Sequence, residues 1–203
     1  MNLQPFFTMQ KKLDAHIVED KGLEGQDLLD KKILGLFTEL GELANEQRSW
    51  KYWSEDQEPR TKIVCIACHG VGEVNEPIGG HYMDCPHCDG SGLEETTNPL
   101  LEEYVDDLHF VFSLGNDLGY SDAEYWGTIE EKTIEVQFIE CQGAIFHLYL
   151  HRKVTGEVPR DIYELLLARF ISLGEMLGFT WDQIEQAYYS KNKINHERQE
   201  AGY

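Results

Sequence analysis

Apolar residues recur at steps of three and four along most of the chain, which is the pattern of amphipathic α-helices. Two motifs mark helix starts. Asn98-Pro99 combines a capping residue with a proline suited to the first turn, and Thr180-x-x-Gln183 has the form of a capping box. The periodic stretches cover residues 3–20, 27–49, 99–118, 159–178 and 181–199. This pattern predicts an all-α protein.

A further helix is predicted from the sequence that follows the third periodic stretch. Ser121-x-x-Glu124 has the spacing of another capping box, so we expect a helix to open there. It continues, after a break, through the apolar run at residues 134–152. Side chains as apolar as these suit a core, and they equally suit an interface between two copies of the chain.

Residues 60–96 interrupt the helical pattern. This stretch is rich in Gly, Cys, Pro and His, and it contains two short β-like runs, TKIVC and GHYMDC. We therefore predict a single all-α domain formed by residues 1–59 and 97–203, with residues 60–96 inserted as a small separate module.

The insert carries two cysteine motifs of the same form, CIACHGVG and CPHCDGSG. Each reads C-x-x-C-x-G-x-G, which resembles the repeat of the zinc region of DnaJ-type chaperones. That region has four repeats, whereas two occur here, and the chain shows no J-domain signature. Zinc takes four tetrahedral ligands, so we predict one closed, structural zinc site. Its ligands are Cys65, Cys68, Cys85 and Cys88.

Charge and hydropathy exclude several classes of function. The net charge of −20 over 203 residues makes a polynucleotide a poor partner, since phosphate backbones need a basic surface. No apolar run approaches the length of a membrane span, and no signal peptide is recognisable, so we expect a cytoplasmic protein. An acidic chain still binds a small phosphate ligand where metal ions bridge carboxylate and phosphate.

Two carboxylate pairs flank the insert. Glu39-x-x-Glu42 and Glu103-x-x-Asp106 each place two carboxylates one turn apart, beside an apolar stripe rather than opposite it. Like charges at this spacing repel, and a divalent cation would reverse the sign of the effect. Ligand sets made only of oxygen favour Mg²⁺ or Mn²⁺, so we predict a magnesium site formed by these four residues.

Three blocks of sequence make the chain recognisable: ELGELANEQRSWKYW, EEYVDDLHFVFSLG and the C-terminal YYSKNKINHERQEAGY. Together with MQKKLD near the start, they resemble the dimeric dUTPase family of the all-α, MazG-like superfamily. The resemblance implies a helical bundle, a homodimer, and Mg²⁺-dependent hydrolysis of dUTP and dUDP to dUMP. It also implies that Glu39, Glu42, Glu103 and Asp106 bind the metal, with Glu39 or Glu42 as the general base.

The same resemblance suggests which residues bind the substrate. Lys191, Asn195 and Arg198 are spaced to share one helical face, where the two cations suit phosphate oxygens. Gln10 matches a glutamine that meets the uracil edge, and an amide both donates and accepts as that edge requires. The full predicted set is Gln10, Lys191, Asn192, Asn195, Arg198 and Tyr203, with Trp50, Trp53, His109 and Phe110 as candidates for the pocket wall or the core.

Two alternatives to a dUTP diphosphatase remain. The same fold and metal site would serve hydrolysis of another nucleoside triphosphate, such as dCTP or a damaged nucleotide. In a different class, the cysteine module would bind a protein partner, and the acidic helices would be a scaffold.

Overall fold

The computed structural model describes residues 1–75, 81–95 and 98–202. In this part of the chain the protein is mostly helical, as the sequence predicts, with four short strands confined to the cysteine-rich stretch. The helices are α1 (Gln4–Lys21), α2 (Leu29–Gln47), α3 (Pro99–Asp117), α4 (Ile134–Thr155), α5 (Arg160–Met176) and α6 (Trp181–Glu200). The strands are β1 (Ile63–Val64), β2 (Glu73–Asn75), β3 (Tyr82–Asp84) and β4 (Leu93–Glu95). No helix in these described ranges combines the length and hydropathy needed to cross a membrane.

The chain forms two compact units, Met1–Asn45 with Glu103–Tyr203, and Glu46–Glu102. The core of the first is built from the apolar stripes that the periodicity predicts. In α1, Phe6 is fully buried and packs its ring against Phe112 of α3 and Tyr188 of α6. This aromatic cluster ties the first and last helices of the unit together, although they lie at opposite ends of the sequence.

Glycine permits the close approach of α2 and α3 in the first unit. A Cβ atom at Gly35 would lie 2.6 Å from the ring of Phe110, closer than two carbon atoms approach without a clash. The contact brings the two helices together near their carboxylates. Because Gly costs helix stability relative to Ala, its presence inside α2 points to this packing requirement.

The second unit contains two cysteine turns related by an approximate repetition. Strand β1 pairs with β4, and β2 pairs with β3, both antiparallel. Gly72 and Gly92 have φ near +81° and +74°, and a Cβ atom on either would lie 2.5 Å from a backbone carbonyl oxygen of the opposite turn. Both positions therefore require glycine.

One predicted helix start is wrong. Residues 121–133 are not helical, and α4 begins at Ile134 with Thr133 as its cap. Tertiary hydrogen bonds hold this segment in a non-helical path instead, because Gln4 Nε2 donates to the carbonyl of Ser121 at 3.2 Å and the backbone N–H of Ile129 donates to Ser172 Oγ at 2.7 Å. The capping box at Thr180-x-x-Gln183 is confirmed, with both of its reciprocal hydrogen bonds formed.

Candidate active site

Three of the four predicted metal ligands meet where α2 and α3 face each other. One carboxylate oxygen from each of Glu39, Glu103 and Asp106 lies within 4.8 Å of the other two. Glu39 and Asp106 also line a cavity, described below. Glu42 is exposed one turn along α2, and its charge still raises the pKa of Glu39. The spacing of the two carboxylate pairs thus produces a real cluster in three dimensions.

The electrostatics of this cluster favour binding of a cation. Burial, followed by the charges of Asp106 and Glu42, raises the pKa of Glu103 to about 7. Burial and the charge of Asp106 also raise the pKa of Glu39. Carboxyl groups held this close to one another resist ionisation unless a positive charge offsets them. A divalent cation with oxygen ligands therefore fits the donor set.

A lysine on α6 supplies one positive charge to the cluster. Lys191 Nζ lies 2.5 Å from Asp106 Oδ2, and both side chains are largely shielded from solvent. Asn195 and Arg198 lie on the same cavity wall as Lys191. The steps of four and three residues place Lys191, Asn195 and Arg198 on one face of α6. In the structure this face contacts the carboxylate cluster through Lys191.

These groups line one cavity of about 490 Å³ in the first unit. This volume suits a small-molecule ligand. Its lining combines carboxylates and cations from α1, α2, α3 and α6 with apolar side chains of α1 and the α1–α2 connection. The lining includes Gln10, Leu13, Asp14, Ile17, Val18, Leu23, Leu28, Lys31, Lys32, Glu39, Asp106, His109, Phe110, Ser113, Lys191, Asn195, Arg198 and Gln199.

The remaining predicted substrate residues do not all line the cavity. Gln10 lines the cavity, as do the wall candidates His109 and Phe110. Asn192 is buried and is not part of this lining. Tyr203 lies outside the described residues. The roles of these side chains toward a substrate stay predictions.

Sequence reasoning missed a hydrogen-bonded chain around Gln10. Tyr188 Oη donates to Gln10 Oε1 at 2.8 Å, and Gln10 Nε2 donates to Asp14 Oδ1 at 2.8 Å. Ser113 Oγ donates to Asp14 Oδ2, also at 2.8 Å. Burial raises the pKa of Asp14, although the nearby charge of Lys32 lowers it. The four-residue step from Gln10 to Asp14 was the available signal, because it places both on one helical face.

Asp107 is the other feature that the pattern did not indicate. It follows Asp106 directly, is fully buried, and neither of its oxygens has a hydrogen-bond partner among the described residues. Burial raises the pKa of Asp107 well above its usual value. A buried carboxyl group without a hydrogen-bond partner costs stability, so Asp107 destabilises the fold next to the carboxylate cluster.

The four cysteines of the second unit form a compact sulfur cluster. Cys65 Sγ lies 3.9 Å from Cys85 Sγ, and Cys68 Sγ lies 3.7 Å from Cys88 Sγ, which is far beyond a disulfide bond. Tetrahedral zinc with bonds of about 2.3 Å would separate its sulfurs by about 3.8 Å. The donor set and its spacing therefore fit zinc.

Backbone groups support the thiolate form of these cysteines. The N–H groups of Gly72 and Gly92 donate to Cys68 Sγ and Cys88 Sγ, each at 3.2 Å. Burial alone would raise the pKa of Cys68, yet hydrogen bonds from the Gly72 N–H and from neighbouring thiols lower it to about 7, whereas burial raises the pKa of Cys65 to about 11. A metal-binding cysteine must lose its proton, so the lowered pKa favours coordination at Cys68, while Cys65 needs the metal itself to stabilise its thiolate.

A helical fold with a cavity lined by carboxylates and cations accords with a hydrolase acting on acid anhydrides, which is the class that the family match indicates. The dUTPase family matches residues 2–67 and 91–203, so the chain belongs to this all-α family of dUTP diphosphatases. The match is interrupted over residues 68–90, within the cysteine-rich stretch. No curated protein matches the chain.

Proposed function

We propose that the protein is a Mg²⁺-dependent diphosphatase that converts dUTP, and also dUDP, to dUMP. Family membership supports the dUTP diphosphatase activity. The observation that carries the metal dependence is the meeting of Glu39, Glu103 and Asp106 within 4.8 Å of one another, at the acidic wall of the cavity. Four carboxylates without a cation would repel both one another and the substrate phosphates.

The metal ligands in this proposal are Glu39, Glu42, Glu103 and Asp106. Bound there, Mg²⁺ or Mn²⁺ neutralises phosphate charge and makes a coordinated water more acidic. The carboxylates hold the cation against the cavity, and one of them accepts the proton of the attacking water. Glu39 is the better candidate for this base, because it is half-buried and lines the cavity while Glu42 is exposed.

The polar face of α6 binds the phosphates. Lys191 and Arg198 supply the positive charge that an acidic protein otherwise lacks, and the planar guanidinium of Arg198 suits a phosphate edge. Asn195 lies between them on the cavity wall and faces the sugar or base. Cleavage between the α and β phosphates then yields dUMP with pyrophosphate from dUTP, or with phosphate from dUDP.

The nucleoside occupies the part of the cavity beside Gln10, where the charges of Asp14 and Lys32 offset each other. Gln10 meets the uracil edge, and Phe110 provides an aromatic wall near it. Asn192 and Tyr203 complete the predicted substrate set. An apolar wall with a few polar groups is the usual composition of a small-molecule site.

Substrate identity is tested by incubating the protein with each deoxynucleoside triphosphate, with and without Mg²⁺, and measuring pyrophosphate release. We expect release from dUTP only, and only with Mg²⁺ or Mn²⁺. Turnover of dCTP or of an oxidised nucleotide in preference to dUTP would assign a different substrate. Absence of turnover with every nucleotide would leave the protein-binding alternative, in which the cysteine module is the functional part.

The second unit contributes a structural zinc site in this proposal, formed by Cys65, Cys68, Cys85 and Cys88. Four thiolates leave no open coordination position, so the zinc stabilises the insert at residues 60–96 rather than taking part in hydrolysis. Free thiols in such a cluster accord with a reducing compartment, and we propose a cytoplasmic location.

A homodimer accords with the surface of α4. This helix buries one apolar face, which includes Phe138, Ile145 and Leu148. It also exposes a second apolar stripe at steps of seven and four residues, made of Ile139, Phe146, Leu150 and Val154. Exposed apolar stripes of this kind mark protein interfaces. Light scattering on the purified protein should give twice the mass of the chain, and a variant with Phe146 and Leu150 replaced by Ser should give the mass of one.

A further inference from the structure

An amide side chain reads a nucleobase only if its two ends are fixed. The carbonyl oxygen of Gln10 accepts hydrogen bonds, and its amino group donates them. Free to turn, the amide would suit the keto edge of uracil and the amino edge of cytosine equally well. Discrimination between the two therefore depends on whatever holds the amide in one orientation.

The carbonyl end of Gln10 is held from behind by Tyr188. The hydroxyl of Tyr188 donates to Gln10 Oε1 at 2.8 Å, and Tyr188 is fully buried and is not part of the cavity lining. Its ring stacks on His109 at a centroid distance of 4.1 Å and an angle of 8°, and Phe6 packs against it edge-on. The donor that fixes the carbonyl oxygen is therefore itself immobile.

The amino end of Gln10 is held on the cavity side by Asp14, which lines the cavity. Gln10 Nε2 donates to Asp14 Oδ1, while the other oxygen of Asp14 accepts from Ser113 and lies 3.6 Å from Lys32 Nζ. A reversed amide would place its carbonyl oxygen against a carboxylate oxygen at hydrogen-bonding distance. Two acceptors in that position repel, so the chain of hydrogen bonds permits one orientation of Gln10.

In the described part of the chain, this orientation leaves one amide hydrogen of Gln10 unused. Asp14 takes one of the two hydrogens on Gln10 Nε2, and the second remains for a ligand in the cavity. Facing position 4 of the base, such a donor pairs with the carbonyl of uracil. It opposes the amino group at the same position of cytosine, because two donors then face each other and both lose their partners.

We propose that Tyr188 and Asp14 are positioning residues that fix Gln10 as a hydrogen-bond donor, so that the site takes a keto pyrimidine nucleotide and rejects an amino pyrimidine nucleotide. This inference rests on the proposed function for the location of the base, and it adds the residues that set base selectivity. Two residues of α3 support this pair: Ser113 donates a hydrogen bond to Asp14, and His109 stacks on the ring of Tyr188.

The test compares Tyr188→Phe and Asp14→Leu with a matched control. Tyr163→Phe is that control, because Tyr163 is also fully buried and donates its hydroxyl to the carbonyl of Val111, not to Gln10. The measurement is kcat/KM for dUTP and for dCTP in each protein. We expect the dUTP-to-dCTP ratio to fall about tenfold or more in Tyr188→Phe and Asp14→Leu, mainly through KM, and to stay unchanged in Tyr163→Phe.

A purely structural role for Tyr188 would lower turnover of both nucleotides equally and leave their ratio intact, and that result would overturn the proposal. Equal turnover of dUTP and dCTP by the unaltered protein would overturn it as well. If neither nucleotide is hydrolysed, the proposed function fails, and calorimetric binding of dUMP and dCMP provides the same ratio. A preference for dUMP that Tyr188→Phe abolishes would then support the role of Tyr188, whereas equal binding would contradict it.

Discussion

Lys191 Nζ on α6 lies 2.5 Å from Asp106 Oδ2 on α3, so the cation-bearing face of the last helix contacts the carboxylate cluster directly. Burial raises the pKa of Asp106, and the hydrogen bond from Lys191 lowers it. The pair joins the two charged walls of the cavity. Any group that binds between α3 and α6 has to share the charge of Lys191 with Asp106.

Loss of this lysine should weaken substrate binding and disturb the metal site together. We expect Lys191→Met to lower kcat/KM for dUTP by about a hundredfold, because a phosphate contact and the partner of a buried carboxylate disappear at once. Lys193→Met is the matched control, since Lys193 is an exposed lysine on the same helix whose ion pair with Glu197 is on the surface. A wild-type kcat/KM in Lys191→Met would exclude Lys191 from the site.

The raised pKa of Glu103 predicts an unusual dependence of stability on pH. Its pKa rises from an ordinary value of 4.5 to about 7 in the folded protein, so the folded state binds this proton more tightly than the unfolded state. The resulting stabilisation is fully present below the unfolded pKa and is lost as pH rises to about 7. The melting temperature of the metal-free protein should therefore fall between pH 5 and pH 7.5. This fall should be larger in the unaltered protein than in Glu103→Gln. Identical pH profiles for the two proteins would contradict the assignment.

Replacing Asp107 by a neutral side chain should stabilise the protein at neutral pH, because burial raises the pKa of this carboxyl group and folding therefore has to take up a proton. Both oxygens of this buried carboxyl group lack a hydrogen-bond partner in the described part of the chain, and Asp107→Asn replaces it with a neutral side chain of the same shape. We expect a gain of about 1 kcal/mol or more in the free energy of unfolding, measured in urea. The exposed Glu102→Gln should change this free energy by less than about 0.5 kcal/mol. A loss of stability in Asp107→Asn would show that the carboxylate has an essential partner.

Zinc should be required for stability more than for hydrolysis. Elemental analysis should find one zinc per chain, and Cys65→Ser should lose the metal and lower the melting temperature while turnover falls less. Cys141→Ala is the control, because Cys141 is buried in the helical unit and does not belong to the sulfur cluster. If turnover vanished in Cys65→Ser while the fold persisted, the zinc would have a role in function.

The sequence predicts the helices and the carboxylate pairs well, because both are local patterns. A spacing of three residues places Glu103 and Asp106 on one face of α3 whatever surrounds them. The same reasoning failed at Ser121-x-x-Glu124, where a capping motif exists but hydrogen bonds to Gln4 of α1 and Ser172 of α5 hold the segment in a non-helical path. A local sequence motif cannot show that tertiary hydrogen bonds will prevent the helix from forming.

The chain of hydrogen bonds around Gln10 could not be predicted for a related reason. Its members come from α1, α3 and α6, so only the packing of the three helices brings Asp14, Ser113 and Tyr188 together. Asp107 was equally inaccessible to pattern reasoning, because a charged residue is expected at the surface and this one is fully buried.

The central claim is that the cluster on α2 and α3 catalyses hydrolysis of dUTP with Mg²⁺. Two adjacent glutamates of α3 test it most directly, because Glu103 belongs to the cluster and Glu102 is exposed. Pyrophosphate release from dUTP should fall by at least about a hundredfold in Glu103→Gln and remain near the wild-type rate in Glu102→Gln. Equal rates in the two variants, or release that does not depend on a divalent cation, would contradict the account.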